Sequence, residues 1–169
     1  MADAEAIWRA LDSHRDYLAV WLPFVPRITR REDEEAFLRA TLDAPCDARN
    51  IVFVIERDGA FCGLAGYVNT DRDNNRTEIG YWLLPEFQGR GAMTRAVAHL
   101  CRRAAERGMN RIQIRCAAAN GPSNAIPRRL GFVLEGTERA GELLASGEYA
   151  DINVYSILKN EIERWKNPS

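Results

Sequence analysis

The sequence predicts a single α/β domain, with a mixed sheet and helices on both faces of that sheet. Three observations predict this class. Helical patterns fill the first fifty residues, three strand-like segments separated by turn signals follow, and strand and helix patterns then alternate to the end. The 169 residues fit one domain spanning 1–169, because chains divide only beyond about 250–300 residues.

The N-terminal helices are indicated by capping residues and by proline. Asp3 is placed to cap the first helix, and Pro23 and Pro26 end the helical stretch that follows it. Thr29 and Glu32 have the spacing of a capping box, which predicts the start of another helix.

The middle of the chain predicts a three-stranded antiparallel meander. Its strands are expected at Ile51–Glu56, Phe61–Val68 and Thr77–Leu84. Asp58-Gly59 is a tight-turn signal between the first two strands, and Pro85 ends the third.

In the second half, apolar residues recur at helical spacing between Met93 and Ala104, and Gly108 ends that helix. A strand is expected next at Arg111–Cys116, followed by a loop at Asn120–Asn124 and a short helix up to Leu130. A final pair of strands is expected at Phe132–Glu138 and Tyr149–Leu158.

Composition excludes several classes of function. A net charge of −1 argues against nucleic acid as the main partner, because phosphate binding needs a basic excess. No apolar run approaches the roughly 18 residues of a membrane span, and the N-terminus lacks signal-peptide features, so a cytoplasmic location and no membrane partner are expected. The cysteines lack metal-ligand spacing, and buried packing and no metal are expected for Cys46, Cys62, Cys101 and Cys116.

The most informative segment is Gln88–Met93, which lies between a predicted strand and a predicted helix. Its glycines let the backbone turn so that several N–H groups converge, and the helix start adds a partial positive charge. This arrangement suits a pyrophosphate, although a simple strand-to-helix turn would also need glycine. A Walker loop and a dinucleotide-binding fingerprint are both excluded, because Gly-Lys-Ser/Thr and a third glycine are missing.

Residues 79–93 resemble the acetyl-CoA-binding motif of the GNAT acetyltransferase superfamily. Residues 120–136, 149–155 and 21–24 resemble the ribosomal-protein-serine N-acetyltransferase clade of that superfamily. The resemblance implies a GNAT-like fold, whose mostly antiparallel sheet contains one splayed parallel pair. The first strand of that fold precedes the first helix and is expected to be missing here, which would leave a sheet edge for a homodimer partner to cover.

The resemblance also implies which residues bind acetyl-CoA. The pyrophosphate would lie on the backbone of Gln88, Gly89, Arg90, Gly91, Ala92 and Met93. The pantetheine arm would pair with the main chain of Trp82, Leu83 and Leu84, with Asn120 contacting the arm. A backbone N–H of Leu83 or Leu84 would stabilise the oxyanion that forms during acyl transfer.

Catalytic roles follow from the same resemblance. Glu142 and Glu78 compete as the general base, and Ser123 is placed to protonate the thiolate, although it could instead be a helix N-cap. The tyrosine acid of many family members is replaced by Pro127. The substrate pocket is expected to include Cys116, Tyr149 and Asp151, and Cys116 leaves open an acyl-cysteine route that the family does not favour.

The resemblance therefore implies an acetyl-CoA-dependent N-acetyltransferase acting by direct transfer on the N-terminal serine of a protein. One alternative is a small amine acceptor such as a polyamine, an amino sugar or an amino-acid derivative, bound by acids such as Glu142, Glu148 and Asp151. Another is a non-catalytic acetyl-CoA sensor, and transfer of a different acyl group is a further alternative.

Overall fold

The structure is a computed structural model that describes residues 3–43 and 51–165. Its helices are α1 (Ala4–Ser13), α2 (Arg15–Ala19), α3 (Arg31–Asp43), α4 (Ala92–Glu106), α5 (Gly121–Arg129) and α6 (Lys159–Arg164). Its strands are β1 (Ile51–Arg57), β2 (Ala60–Asp71), β3 (Arg76–Leu83), β4 (Arg111–Ala117), β5 (Val133–Leu143) and β6 (Tyr149–Leu158). Two short 3₁₀ turns lie at Val25–Arg27 and Pro85–Phe87.

The described strands form one six-stranded sheet in the order β1-β2-β3-β4-β6-β5. All neighbours are antiparallel except β3 and β4, which α4 connects as a parallel pair. That pair has a short ladder, from Arg76 opposite Arg111 to Glu78 opposite Gln113, after which the two strands separate. The predicted mixed sheet with a splayed parallel pair is therefore confirmed.

Helices cover both faces of the sheet because side chains on a strand alternate in direction. Ile79 and Leu83 of β3 pack with Val97 and Leu100 of α4 in one apolar cluster. Trp82, between them in sequence, belongs to a second cluster on the opposite face, where Ile7 and Leu11 of α1 are among the buried side chains. Within the described residues, no helix is both long enough and apolar enough to cross a bilayer.

The structure differs from the predicted elements in three places. The predicted loop at Asn120–Asn124 is mostly the first turn of α5, because the Asn120 side chain caps it by accepting the Ser123 N–H at 3.1 Å. β5 extends to Leu143, and α6 was not predicted. Within residues 3–43 there is no strand, so β1 has one neighbour in the described sheet. Cys46 lies outside the described residues, and the other cysteines are free and buried.

Glu34 of α3, which packs on α1, is a buried carboxyl whose side of the helix faces the protein interior. It is 3% exposed, and burial raises its pKa to about 7. In the unfolded chain this carboxyl ionises near its ordinary value of 4.5. Between pH 4.5 and 7 the folded protein therefore holds more protons than the unfolded chain, so this group lowers stability as the pH rises.

We expect Glu34→Gln to have nearly wild-type stability at pH 4.5 and to exceed it by about 1–3 kcal/mol at pH 8. The measurement is urea unfolding at both pH values. Glu32→Gln, an exposed neighbour in the same turn, is the matched control and should change little at either pH. An equal effect of Glu34→Gln at both pH values would contradict the assigned pKa.

Candidate active site

The space between the separated ends of β3 and β4 is the central feature of the site. At the end of β3, the Leu84 N–H donates to the Cys62 carbonyl of β2 at 2.8 Å. In an antiparallel ladder the main-chain groups of successive residues point to alternate sides. Trp82 and Leu84 thus direct their main chains to β2, whereas Tyr81 and Leu83 direct theirs into the gap.

This pattern corrects two expectations. The Leu84 N–H is not available as an oxyanion donor, because the Cys62 carbonyl already accepts it. The main chain of Trp82 is likewise turned to β2, and its indole packs at 5.7 Å from the ring of Phe61. Leu83 is the predicted donor that faces the gap, and Tyr81 adds a second N–H on the same side.

The predicted anion cradle lies directly after β3. Gly89 and Gly91 have φ angles of +72° and +73°, a region that side-chain-bearing residues rarely adopt. Gly91 is the N-cap of α4, and no side chain caps this helix. The first hydrogen bond into the helix runs from the Arg95 N–H to the Gly91 carbonyl at 3.1 Å. The N–H groups of the helix before Arg95 have no partner within it, which suits a phosphate.

Gln88 links this cradle to the gap. Its side-chain amide donates to the Leu83 carbonyl at 3.1 Å and to the Tyr17 hydroxyl of α2. The backbone of Arg90, Ala92 and Met93 continues the turn into α4, and the Met93 side chain is buried beneath it. The predicted pyrophosphate residues therefore run consecutively from the end of β3 into the first turn of α4.

Three polar side chains meet on the α5 side of the gap. The Ser123 hydroxyl lies 3.2 Å from the Cys116 Sγ and 3.4 Å from the Tyr81 hydroxyl, which in turn donates to the Ser123 carbonyl at 3.0 Å. Asn120 is the N-cap of α5, so Ser123 is not a cap. Burial raises the pKa of the Cys116 thiol and raises the pKa of the Tyr81 phenol well above its usual value.

Tyr81 was missed by the sequence reasoning. The sequence indicated no role for it, because the family's tyrosine acid falls on the helix, at the position of Pro127. The signal that could have found it is the period-two alternation of β3, which places Tyr81 on the same side as the buried Ile79 and Leu83.

The two carboxylates proposed as base lie on different strands. Glu78 is half-buried on β3, where burial raises its pKa and Asn69 donates to it at 3.4 Å. The charges of Glu142 and Arg115 act on Glu78, so the three groups share one region. Arg115 itself pairs with Glu138 at 2.7 Å.

Glu142 follows an irregularity in β5. Glu138 is opposite Ile152 and Glu142 opposite Ala150, so three residues of β5 face one of β6. Within this bulge Ala140 has a φ of +50°, and its N–H donates to the Asp151 carboxylate at 2.8 Å. Asp151, expected in the substrate pocket, is therefore bonded to the main chain that sets the register of Glu142. Tyr149, also expected in the substrate pocket, is 68% exposed at the start of β6 and is not among the side chains that meet around Ser123.

The first turn of α5 is held by a buried amide. Asn124 is 1% exposed and uses both its N–H groups and its oxygen. It donates to the carbonyls of Ala117 and Asn120 at 2.8 and 2.7 Å, and it accepts from Asn153 and Tyr155 at 2.8 and 3.0 Å. These bonds fix Ser123, the preceding residue, against β4 and β6.

Comparison with known proteins identifies this arrangement. A model of the GNAT acetyltransferase domain matches residues 1–133. The chain belongs to the GNAT acetyltransferase family. It is accordingly an acetyltransferase that uses acetyl-CoA, and the uncapped start of α4 fits the diphosphate of that cosubstrate. Within the described residues no cluster of three or more His, Cys, Asp or Glu is arranged to hold a metal ion.

This GNAT acetyltransferase is similar to two named bacterial proteins. It is 34% identical over 163 residues to the YdaF protein of Bacillus subtilis, with 95% of this chain and 88% of that protein covered. It is 33% identical over 106 residues to the ribosomal-protein-serine acetyltransferase of Escherichia coli, with 62% of this chain and 59% of that protein covered.

Two solved structures of other acetyltransferases have a similar fold. RimL, a ribosomal L7/L12 α-N-protein acetyltransferase in complex with coenzyme A, has a TM-score of 0.88 and 26% identity, covering 93% of this chain and 89% of that one. MccE, a microcin C7 self-immunity acetyltransferase in complex with acetyl-CoA and AMP, has a TM-score of 0.87 and 26% identity, covering 93% and 87%.

Proposed function

We propose that this GNAT acetyltransferase acts in the cytoplasm on the α-amine of an N-terminal serine, with a ribosomal protein as the first acceptor to test. The observation that carries the proposal is the similarity to the ribosomal-protein-serine acetyltransferase of Escherichia coli, whose name states its acceptor. The position of Glu142 supports it, because an exposed strand at the edge of the sheet is accessible to the end of a polypeptide chain.

Each residue around the gap has a role in this proposal. Acetyl-CoA supplies an activated acetyl group, held with its diphosphate at the start of α4 and its arm between β3 and β4. The N–H groups of Tyr81 and Leu83 pair with the arm and with the carbonyl oxygen that gains negative charge. Such preorganised donors lower an acyl-transfer barrier by about 2.7–4 kcal/mol each. The Ser123 hydroxyl donates a hydrogen bond to the departing thiolate.

Cys116 favours direct transfer rather than an acyl-cysteine. The thiolate is the nucleophilic form of cysteine, and burial of Cys116 raises the pKa of its thiol. The nearest hydrogen-bonding side chains are the hydroxyls of Ser123 and Tyr81, neither of which is a base at neutral pH. Cys116 thus lines the pocket as a neutral group, and the amine itself attacks the thioester.

A small-molecule acceptor is the second candidate, and the fold similarity to MccE in complex with AMP favours it. Glu142 and Glu148 are exposed on the same hairpin and could receive a cationic amine. The third acid expected in this pocket, Asp151, is already bonded to the Ala140 N–H. Because of this hydrogen bond, Asp151 is less available to a polyamine than the sequence suggested.

The test is release of free thiol from acetyl-CoA with three sets of acceptors: serine-initiated peptides, polyamines and amino sugars. A peptide with an acetylated N-terminus and a free lysine is the matched control. We expect turnover with the serine-initiated peptides alone, and mass spectrometry should place one acetyl group on the α-amine. Turnover only with small amines would overturn the protein acceptor, and turnover with the control peptide would assign the activity to lysine.

A further inference from the structure

Pro127 lies inside α5, where proline is unusual. It is buried within a nine-residue helix that begins at Gly121. A residue at this position of a helix normally donates its N–H to the carbonyl four residues earlier, which is that of Ser123. Proline has no N–H, and its ring displaces that carbonyl from the helix. The Ser123 carbonyl is therefore left without its helical partner.

Tyr81 supplies the missing donor from the sheet. Its hydroxyl donates to the Ser123 carbonyl at 3.0 Å, and the same oxygen lies 3.4 Å from the Ser123 hydroxyl. Tyr81 of β3 thus contacts both the carbonyl and the hydroxyl of Ser123 in α5. Since burial raises the pKa of this phenol well above its usual value, it stays protonated and keeps donating.

We propose that Pro127 and Tyr81 act together as positioning residues for Ser123. Pro127 frees the serine carbonyl, Tyr81 binds it, and the first turn of α5 is thereby held with the Ser123 hydroxyl toward the gap. The inference rests on the proposed role of Ser123 at the thiolate. It explains how a hydroxyl is kept in place although this helix has proline at the position of the family's tyrosine.

A matched control exists in the same sheet. Tyr67 of β2 is also buried, and its hydroxyl donates to the Leu100 carbonyl of α4 at 2.7 Å. It makes the same kind of bond to a helix carbonyl, but its hydroxyl bonds to α4 and not to the first turn of α5. Tyr67→Phe therefore reports what the loss of a buried tyrosine hydroxyl does to the fold alone.

The experiment compares Tyr81→Phe, Pro127→Ala and Tyr67→Phe by kcat, by the Kd of acetyl-CoA from calorimetry and by hydrogen exchange of residues 121–126. We expect Tyr81→Phe to lower kcat about three- to tenfold with less than a twofold change in Kd, and to speed exchange in that segment. Pro127→Ala restores the helical N–H, so it should lower kcat without loss of stability. Tyr67→Phe should leave kcat, Kd and exchange at 121–126 unchanged.

A cycle with Ser123→Ala decides whether Tyr81 acts through the serine. We expect Tyr81→Phe to lower kcat no further in the Ser123→Ala background, because the group that it positions is gone. Equal losses in both backgrounds, or an unchanged exchange rate in Tyr81→Phe, would overturn the proposal. If wild type binds acetyl-CoA but acetylates no acceptor, the proposed function fails. The hydrogen-exchange comparison would still test whether Tyr81 and Pro127 hold the first turn of α5.

Discussion

We expect Glu142→Gln to lower kcat for a serine-initiated peptide by about 10²–10⁴-fold, the range that a general base contributes. A base is needed twice, because the α-amine must be neutral before it attacks the thioester and its nitrogen must lose a further proton once it has attacked. Glutamine keeps the shape of the side chain without its basicity. The bulge in β5, bonded through Ala140 to Asp151, sets the register of this residue. A large effect on kcat with little change in the Kd of acetyl-CoA is the expected result.

The pH dependence separates a base from a binding group. A peptide α-amine has a pKa of about 7.7–8.0, so raising the pH to about 9 deprotonates most of it without help from the enzyme. The defect of Glu142→Gln should therefore narrow as the pH rises from 7 to 9. A defect that stays constant over this range would show that Glu142 binds the acceptor and does not take its proton.

Glu78 is the rival base, and Glu148 is the matched control. Glu78→Gln removes a half-buried carboxyl whose pKa is already raised by burial, and we expect it to lower kcat less than tenfold. Glu148→Gln, exposed at the turn of the same hairpin as Glu142, should have little effect. A larger loss in Glu78→Gln than in Glu142→Gln would exchange the two assignments.

Local patterns in the sequence were sufficient for most of the architecture. Alternation along β3, the glycine pair before α4 and the proline at 85 each act within a few residues, so the strand, the turn and the helix start could be predicted where they occur. The cradle could also be predicted, because its N–H groups belong to consecutive residues.

The direction of main-chain groups in the gap could not be predicted in the same way. Leu83 and Leu84 are adjacent apolar residues, and their N–H groups differ only because β2 accepts one of them at Cys62. That choice depends on the register between two strands, which is set by packing across the whole sheet. The role of Asp151 has the same origin, because the bulge that it binds forms only when β5 pairs with β6.

Contacts between distant residues explain the remaining omissions. Tyr81 and Ser123 are 42 residues apart, and only the crossover through α4 and β4 brings them together. In the sequence, Pro127 indicated only that the tyrosine acid of many family members is absent from this chain. In the structure it also changes which carbonyl of α5 is available, an effect that is visible only when the partner of that carbonyl is known.

We expect Asn124→Leu to cost about 3–5 kcal/mol of unfolding free energy, a large fraction of the roughly 5–15 kcal/mol that keeps a domain folded. Leucine fills a similar volume but leaves the buried Asn153 amide and the Ala117 carbonyl without the partner that Asn124 provides. Each buried polar group that loses its partner costs about 1–3 kcal/mol. The measurement is urea unfolding at pH 7, with Asn160→Leu at an exposed position of α6 as the control.

The same substitution should also lower activity at temperatures where the variant is still folded. Asn124 follows Ser123 directly, so loosening its bonds to β4 and β6 frees the first turn of α5 from the sheet. Ser123→Ala, in contrast, should lower kcat with a change in unfolding free energy of less than about 1 kcal/mol. It removes a single hydroxyl and leaves the hydrogen bonds of Asn124 in place. If Asn124→Leu unfolds within 1 kcal/mol of wild type, the buried amide does not hold α5, and the position of Ser123 must depend on the Tyr81 contact alone.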